Sequence, residues 1–547
     1  MAEKKQLEIT NINKKPGESN SQVPSHHRYQ DEVAGERTAD MSKVATVDPV
    51  LAEAGNSIST LPRYWSWLWL QNGLAWLFVL FSLPIVIFFD VTVPPGEVPD
   101  EPFHILRAAS ILNGEIIAHR VTVPSNGTPV TIGGVYVDRQ LLFAASGLWP
   151  MTTGTKMTRT ISDRLGTLRW TGNHDFIAAP NTAIYFPAFY VPAALGLGIA
   201  RLAGVQPFHA IIVGRLVASL CFVLIGHFAL LIARRCRLLL FVTLMVPISL
   251  SLAGSFSMDN GLIVFSVLAS ALLTRSEGGG KWAEVCFWLA GLALALAFAS
   301  KPPYLLFAIL MLLPMRGHPV PGRSVRARVG GFLLAVLPAL LWSATGVRNV
   351  ITPFPRADYH PGPLYPGDHN MVFCSTDPGA QFQVFLADPW RLFTMPVHAI
   401  MQQAAGLSRE MIGVLGWNDI VLPSSIYLLW TAAFAAACFG DMLGDEDEKP
   451  GPAPLDAVIV LCAGIATTFV IFIFQYLTWA SVGDAEILEV RGRYLLPILA
   501  LMALAIPRIR FAGGKVWRTA FAAVPVVASA AGLLALPVAV VWRYYMQ

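Results

Sequence analysis

Between Pro99 and Pro102 stand two adjacent carboxylates, Asp100 and Glu101, and His104 and Arg107 follow them at the three-and-four spacing of one helix face. A carboxylate so placed can take a proton from a hydroxyl, and a pair can hold a divalent metal such as Mg or Mn through oxygen ligands. Acidic residues also cap helix starts and are favoured there by the macrodipole. Capping accounts for one carboxylate; two of them, with a His and an Arg one turn on, read as a site that binds a cation or removes a proton. Basic residues that could face a phosphate close apolar runs elsewhere: Lys301 before Pro302 and Pro303, and Arg491 with Arg493. They stand at the height of a lipid headgroup, where an arginine fork matches phosphate oxygens and where basic side chains also simply snorkel to the interface. Trp417 beside Asp419 reads as an interface anchor or as a ring stacked on a sugar. Asp259 reads as the cap of a helix beginning near Asn260. His174, Asp175, His360, His369 and His398 read as solvated loop residues.

Other chemistries lack their spacing. No His precedes Glu101 as H-E-x-x-H requires, and neither a G-x-S-x-G elbow nor a G-x-x-x-x-G-K phosphate loop occurs.

The elements that must carry these residues are membrane helices. The chain of 547 residues is 54% hydrophobic and 14% charged, too apolar for a soluble enzyme of this length. Its net charge of +4 is spread over short loops, which reports topology and implies no nucleic-acid partner. Residues 1–62 are polar and without apolar period, so they read as a disordered cytoplasmic tail ahead of a membrane domain over 63–547. No signal peptide starts at Met1, and the first apolar run reads as an uncleaved anchor. Cys221, Cys236, Cys286, Cys438 and Cys462 lie in or beside apolar runs and Cys374 in a polar loop, which makes no disulfide or metal framework.

Apolar runs near the ~20 residues that cross a bilayer fall at about 67–89, 209–233, 238–256, 260–275, 282–300, 303–315, 329–346, 424–440, 455–477, 493–507 and 519–541. Three basic loops, around Arg234 to Arg237, Arg316 to Arg328 and Arg508 to Arg518, belong in the cytoplasm under the positive-inside rule. Loops 90–208 and 346–423 then lie outside, with amphipathic helices beside the membrane. The segment 181–203 is apolar enough to span, but counting it reverses all three basic loops; Pro187, Pro192 and its glycines suit a bent helix on the outer leaflet. The expected fold is an all-α polytopic membrane protein of about 11 spans, or 12 if 181–203 crosses, with Met1 cytoplasmic and Gln547 outside.

Several short motifs share one order: PDEPFH at 99–104, FPAFYVPAA at 186–194, GRL at 214–216, GSFSMDN at 254–260, KPPY at 301–304, GVLGWND at 413–419 and RGRYLLP at 491–497. In that order and spacing, from Trp67 to Pro507, the chain resembles the bacterial membrane proteins grouped as domain-of-unknown-function family 2142. That family in turn resembles integral-membrane glycosyltransferases of the GT-C type. The resemblance implies a GT-C-like fold in the bacterial inner membrane, a polyprenyl-phosphate-linked sugar as donor, and a cell-envelope glycan or lipid as acceptor on the extracytoplasmic face. It implies Asp100 as the base and Glu101 as a second carboxylate that orients the acceptor or shares a metal. Lys301, Tyr304, Arg491, Arg493 and Tyr494 would serve the carrier phosphate, and His104, Arg107, Trp417 and Asp419 the substrates. The chain departs from the family pattern at Phe103, where a small residue is usual, at Arg491 in place of Gln, and at Asn418 in place of an apolar residue. A transporter or flippase of lipid-linked saccharides is the alternative, although no internal repeat is visible and most spans carry no charge in their central turns. A non-catalytic assembly subunit is a third reading.

Overall fold

The computed structural model describes residues 72–547 apart from 126–127, 147–154, 279, 315–322, 353–362, 365–375, 447, 449–450, 511 and 547. The tail over 1–62 and the residues Cys374, His360 and His369 therefore lie outside the described residues.

Seven helices among the described residues are long and apolar enough to cross a bilayer: Leu74–Thr92, Pro207–Ile232, Lys281–Ser300, Val325–Val350, Ser424–Met442, Pro454–Trp479 and Gly514–Tyr544. The other four expected runs are also helical but shorter, broken or more polar, and proline explains two of them. Val246 precedes Pro247 and is driven out of helical geometry, so the run 238–256 becomes Arg237–Met245 and Pro247–Ala253. Pro302 and Pro303 turn the next into a 3-10 helix, Pro302–Met311. The run at 493–507 is divided into Gly492–Tyr494, Leu495–Met502 and Ala503–Ala505. Asp259–Ser276 is a full helix with Asn260, Ser266, Ser270 and Thr274 along it, and the rest of the bundle buries it on nearly every side. Neighbouring helices, more than lipid, are its solvent.

The basic loops converge at one end of the bundle. Arg235 donates to Glu277 Oε1 (2.7 Å) and to the Leu504 carbonyl, and Arg323 donates to Glu284 and to the Ser276 carbonyl. Asp441 accepts from the Leu238 and Leu239 amides, and Arg518 reaches the Leu443 carbonyl and Glu448. Such partners answer helix-end groups and cations together.

Register along the first helix places the segment 181–203. His227 meets the Ala75 carbonyl near the basic end (2.9 Å), whereas Ser219 donates to Asp90 (2.6 Å) at the far end of Leu74–Thr92. Pro207–Ile232 thus runs antiparallel to it and projects past it by its first turns. Val191–Leu202 packs on that projection: a Cβ on Gly196 would lie 2.7 Å from the Val213 carbonyl oxygen, and one on Gly214 would lie 3.1 Å from that of Ala193. Only glycine permits such an approach. This helix exposes Leu195, Ile199 and Leu202, and Arg391–Gly413 exposes Phe393, Val397 and Met401, so both large loops carry a helix with an apolar stripe.

Three small sheets among the described residues depart from the all-α expectation, and the largest has three strands. His119–Ser125, Thr128–Val137 and Asp175–Ala178 form a three-stranded antiparallel sheet in the order of the chain. Ser125 pairs with Thr128, and the residues between them, Asn126 and Gly127, are the pair most favoured in two-residue hairpins.

Candidate functional site

At the end away from the basic loops, the Glu101–Leu112 helix begins under a loop over 93–100. Asp100 immediately precedes it with φ 61°, a left-handed conformation uncommon outside glycine. Its side chain makes no capping bond; the helix starts on its carbonyl, which accepts from the Phe103 and His104 amides (3.0 and 3.1 Å). The carboxylate instead accepts from Asn181 Nδ2 at 3.0 Å, and the other Asn181 amide atom, Oδ1, is buried without a partner. Asp100 is thus a strained residue whose side chain is spared from capping, and strain of this kind concentrates at functional sites.

Glu101 is not at a water-facing surface as expected. It is fully buried and paired with Arg215, also fully buried: Nε donates to Oε1 at 2.8 Å and a terminal nitrogen to Oε2. The Gly96 and Phe256 amides also donate to it (3.0 and 3.3 Å). With its oxygens so engaged and a guanidinium against it, Glu101 does not fit a metal ligand beside Asp100, and no group of three or more His, Cys, Asp or Glu among the described residues could hold a metal ion.

His104 and Arg107 also differ from expectation. His104 is buried, shares a 2.7 Å hydrogen bond with the Tyr190 hydroxyl and stacks against Tyr185. Burial lowers its pKa from 6.5 to about 4, against the raising influence of Asp100 and Asp259, so it is neutral near pH 7 and offers no cation. Arg107 is fully buried and donates to the Glu115, Ile116 and Tyr185 carbonyls, so it braces the start of the sheet domain.

The cations expected at headgroup height do meet, through a residue read from sequence as a cap. Asp259 bridges Lys301 Nζ (2.7 Å to Oδ1) and Arg493 Nε (3.0 Å to Oδ2), and the capping position of its helix is Met258. The Tyr494 ring lies against both cations, 3.9 Å from Lys301 Nζ and 5.1 Å from Arg493 Cζ, and Tyr304 donates to the Tyr494 carbonyl at 2.7 Å. Asp100, Asp259 and Lys301 all lie close enough to His104 for their charges to act on it, and Asp100 acts likewise on Arg493. Residues from three distant stretches therefore meet directly, two cations sharing one carboxylate, and Asp100 from a fourth lies within electrostatic reach of them.

Arg491 does not join Arg493 as a fork. It turns to Glu410 (3.4 Å), whose other oxygen accepts from the Gly492 amide at 2.8 Å. Trp417 and Asp419 sit in the hairpin of Val414–Leu415 and Ile420–Val421, where Trp417 Nε1 donates to the Gly96 carbonyl (2.7 Å) and Asp419 pairs with Arg543 Nε (2.6 Å). Asn418, between Trp417 and Asp419, has φ 65°, a conformation that Asn tolerates and an apolar residue resists.

Glu97, not singled out from sequence, is almost fully buried with neither carboxylate oxygen hydrogen-bonded. Burial raises its pKa from 4.5 to about 8; Arg543 and Arg215 oppose the rise, and Asp419 and Glu101 add to it. A raised carboxyl pKa means that the folded protein binds the proton more tightly, so this group's stabilisation is complete below pH 4.5 and is lost as pH rises through about 8. Across that window the thermal midpoint of wild type is expected to fall more steeply with pH than that of Glu97→Gln. Parallel slopes would show that Glu97 stays ionised.

The sequence profile of one family, described as a predicted membrane protein (DUF2142), matches residues 83–502. No curated protein and no solved structure matches the chain. The matched stretch contains the Asp100, Asp259, Lys301 and Arg493 cluster; Arg543 and Tyr544 lie beyond it.

Proposed function

This chain belongs to the DUF2142 family of predicted membrane proteins, and from that premise we propose that it moves a sugar from a polyprenyl-phosphate carrier to a cell-envelope glycan or lipid acceptor, on the extracytoplasmic face of a bacterial inner membrane. The observation that carries the reading is an uncapped Asp100 at positive φ within electrostatic reach of Arg493, which shares a single counter-ion, Asp259, with Lys301. Lys301 and Arg493 have one direct ion-pair partner between them, Asp259, and a phosphodiester supplies the second. In the transfer, Asp100 accepts the proton of the acceptor hydroxyl as that oxygen bonds to the sugar's anomeric carbon. The bond from that carbon to the carrier phosphate breaks with its electron pair on the phosphate, and Lys301 and Arg493 stabilise the added charge. His104, held neutral, adds no charge to the site and packs against Tyr185 and Tyr190.

Binding of a polyprenyl phosphate tests this assignment. Arg493→Ala is expected to weaken it at least tenfold, since a charge-assisted bond contributes roughly 1.5–3 kcal/mol. Arg508→Ala, at the basic end and paired with Glu448, should bind as wild type. Equal affinity of the two variants would reduce Arg493 to an anchor.

In the same reading the basic end is cytoplasmic. A reporter fused after Ser324 should score inside and one fused after Asp377 outside. A fusion at Ser324 that scores outside would make 181–203 a true crossing.

A further inference from the structure

We propose that Trp417 and Tyr544 are positioning residues, clamping the 93–100 loop from outside and so holding the Asp100 carboxylate in its left-handed setting. The loop belongs to no helix or strand, and its backbone is answered by side chains from distant elements. Arg215 donates to the Val93 and Pro94 carbonyls, Trp417 Nε1 to the Gly96 carbonyl (2.7 Å) and the Tyr544 hydroxyl to the Glu97 carbonyl (3.3 Å). The Tyr545 hydroxyl reaches the Thr92 carbonyl just before the loop (2.7 Å). Buried or half-buried carbonyls need such partners, and a non-glycine residue at positive φ persists only where its surroundings over-determine it.

Both clamping side chains are themselves fixed. Tyr544 is fully buried; its carbonyl accepts from the Met157 amide (2.7 Å), and Lys156 Nζ donates to the Trp542 and Arg543 carbonyls. The Arg543–Asp419 ion pair joins the turn bearing Tyr544 to the hairpin bearing Trp417. Gly96 admits no side chain, because a Cβ there would lie 2.0 Å from the Ala145 carbonyl oxygen, so the loop is pinned from its other side as well. The two bonds fall three and four residues ahead of Asp100 and touch neither Lys301 nor Arg493, so their loss should misplace the base and leave carrier binding intact.

This inference rests on Asp100 as the base, and the experiment separates the two. Tyr544→Phe keeps the ring and removes only the donor, and Trp417→Phe keeps an aromatic ring while removing the indole N–H and part of the ring system. In nanodiscs, hydrogen exchange at the amides from Glu97 to His104 should quicken in both variants while the rest of the bundle and the thermal midpoint stay near wild type. In transfer assays kcat should fall on the order of tenfold with KM for the carrier-linked sugar unchanged, as expected when a reacting group is misplaced. Unchanged exchange over Glu97 to His104 in both variants overturns the clamp, and so does quickened exchange with an unaltered kcat. If wild type transfers from no lipid-linked donor, the transferase reading falls, and the exchange data still decide whether the clamp exists.

Discussion

Asp100→Asn is expected to lower sugar transfer by on the order of a hundredfold or more, with expression and thermal midpoint near wild type. The substitution isolates the proton-accepting role more cleanly here than at most carboxylates. Asn is among the few side chains that tolerate a left-handed backbone such as the φ of 61° at this position. Asp100 makes no capping bond, so none is lost, and the helix still starts on the same carbonyl. Asn retains a side-chain oxygen for Asn181 Nδ2. What disappears is the capacity to take a proton from the acceptor hydroxyl. An Asp100→Asn protein that transfers sugar at the wild-type rate would remove Asp100 as the base.

Arg215→Met is expected to give the largest loss of stability, about 3–5 kcal/mol, the usual cost of leaving one partner of a buried ion pair alone. Both partners are wholly buried, and Arg215 also holds the Val93 and Pro94 carbonyls, so the variant orphans a carboxylate and two backbone acceptors together. Adding Glu101→Gln to Arg215→Met should recover part of the loss, because a neutral amide oxygen still accepts from the Gly96 or Phe256 amide. Thermal unfolding in detergent reads both effects. A single variant within about 1 kcal/mol of wild type would show that the pair is solvated and that Glu101 is open to substrate.

Much of the scaffold was legible because the bilayer imposes a length rule on apolar runs, and each run is a helix or a broken helix where it was expected. The breaks at Val246–Pro247 and Pro302–Pro303 follow from proline and were readable in principle. So was the antiparallel pairing of HRVTV with VTIGG, whose alternating residues flank an Asn-Gly pair in the sequence, but a short sheet inside a long loop gives a weak signal beside twenty-residue hydrophobic runs. The site was legible only in its members. Asp100, Lys301 and Arg493 announce themselves by type and place, yet Glu101 and Arg215 are 114 residues apart and Asp259 and Arg493 are 234 apart, and no local rule pairs residues at such distances. Asp259 therefore read as a cap, because a capping residue and a bridging counter-ion look alike at a helix start. Arg491 read as half of a fork because its neighbour is basic; the partner that draws it away, Glu410, lies on another helix. Glu97 drew no notice, since nothing local shows that its loop is folded inward under Trp417 and Tyr544.

The most direct measurement is transfer by the purified wild-type protein in lipid, offered a polyprenyl-phosphate-linked sugar in one reaction and the matching nucleotide sugar in another, with an envelope glycan or lipid acceptor in both. The site described here predicts labelled acceptor from the lipid-linked donor alone, with free polyprenyl phosphate as the second product. Transfer from the nucleotide sugar, or none from any lipid-linked donor while the folded protein still binds polyprenyl phosphate, would contradict it.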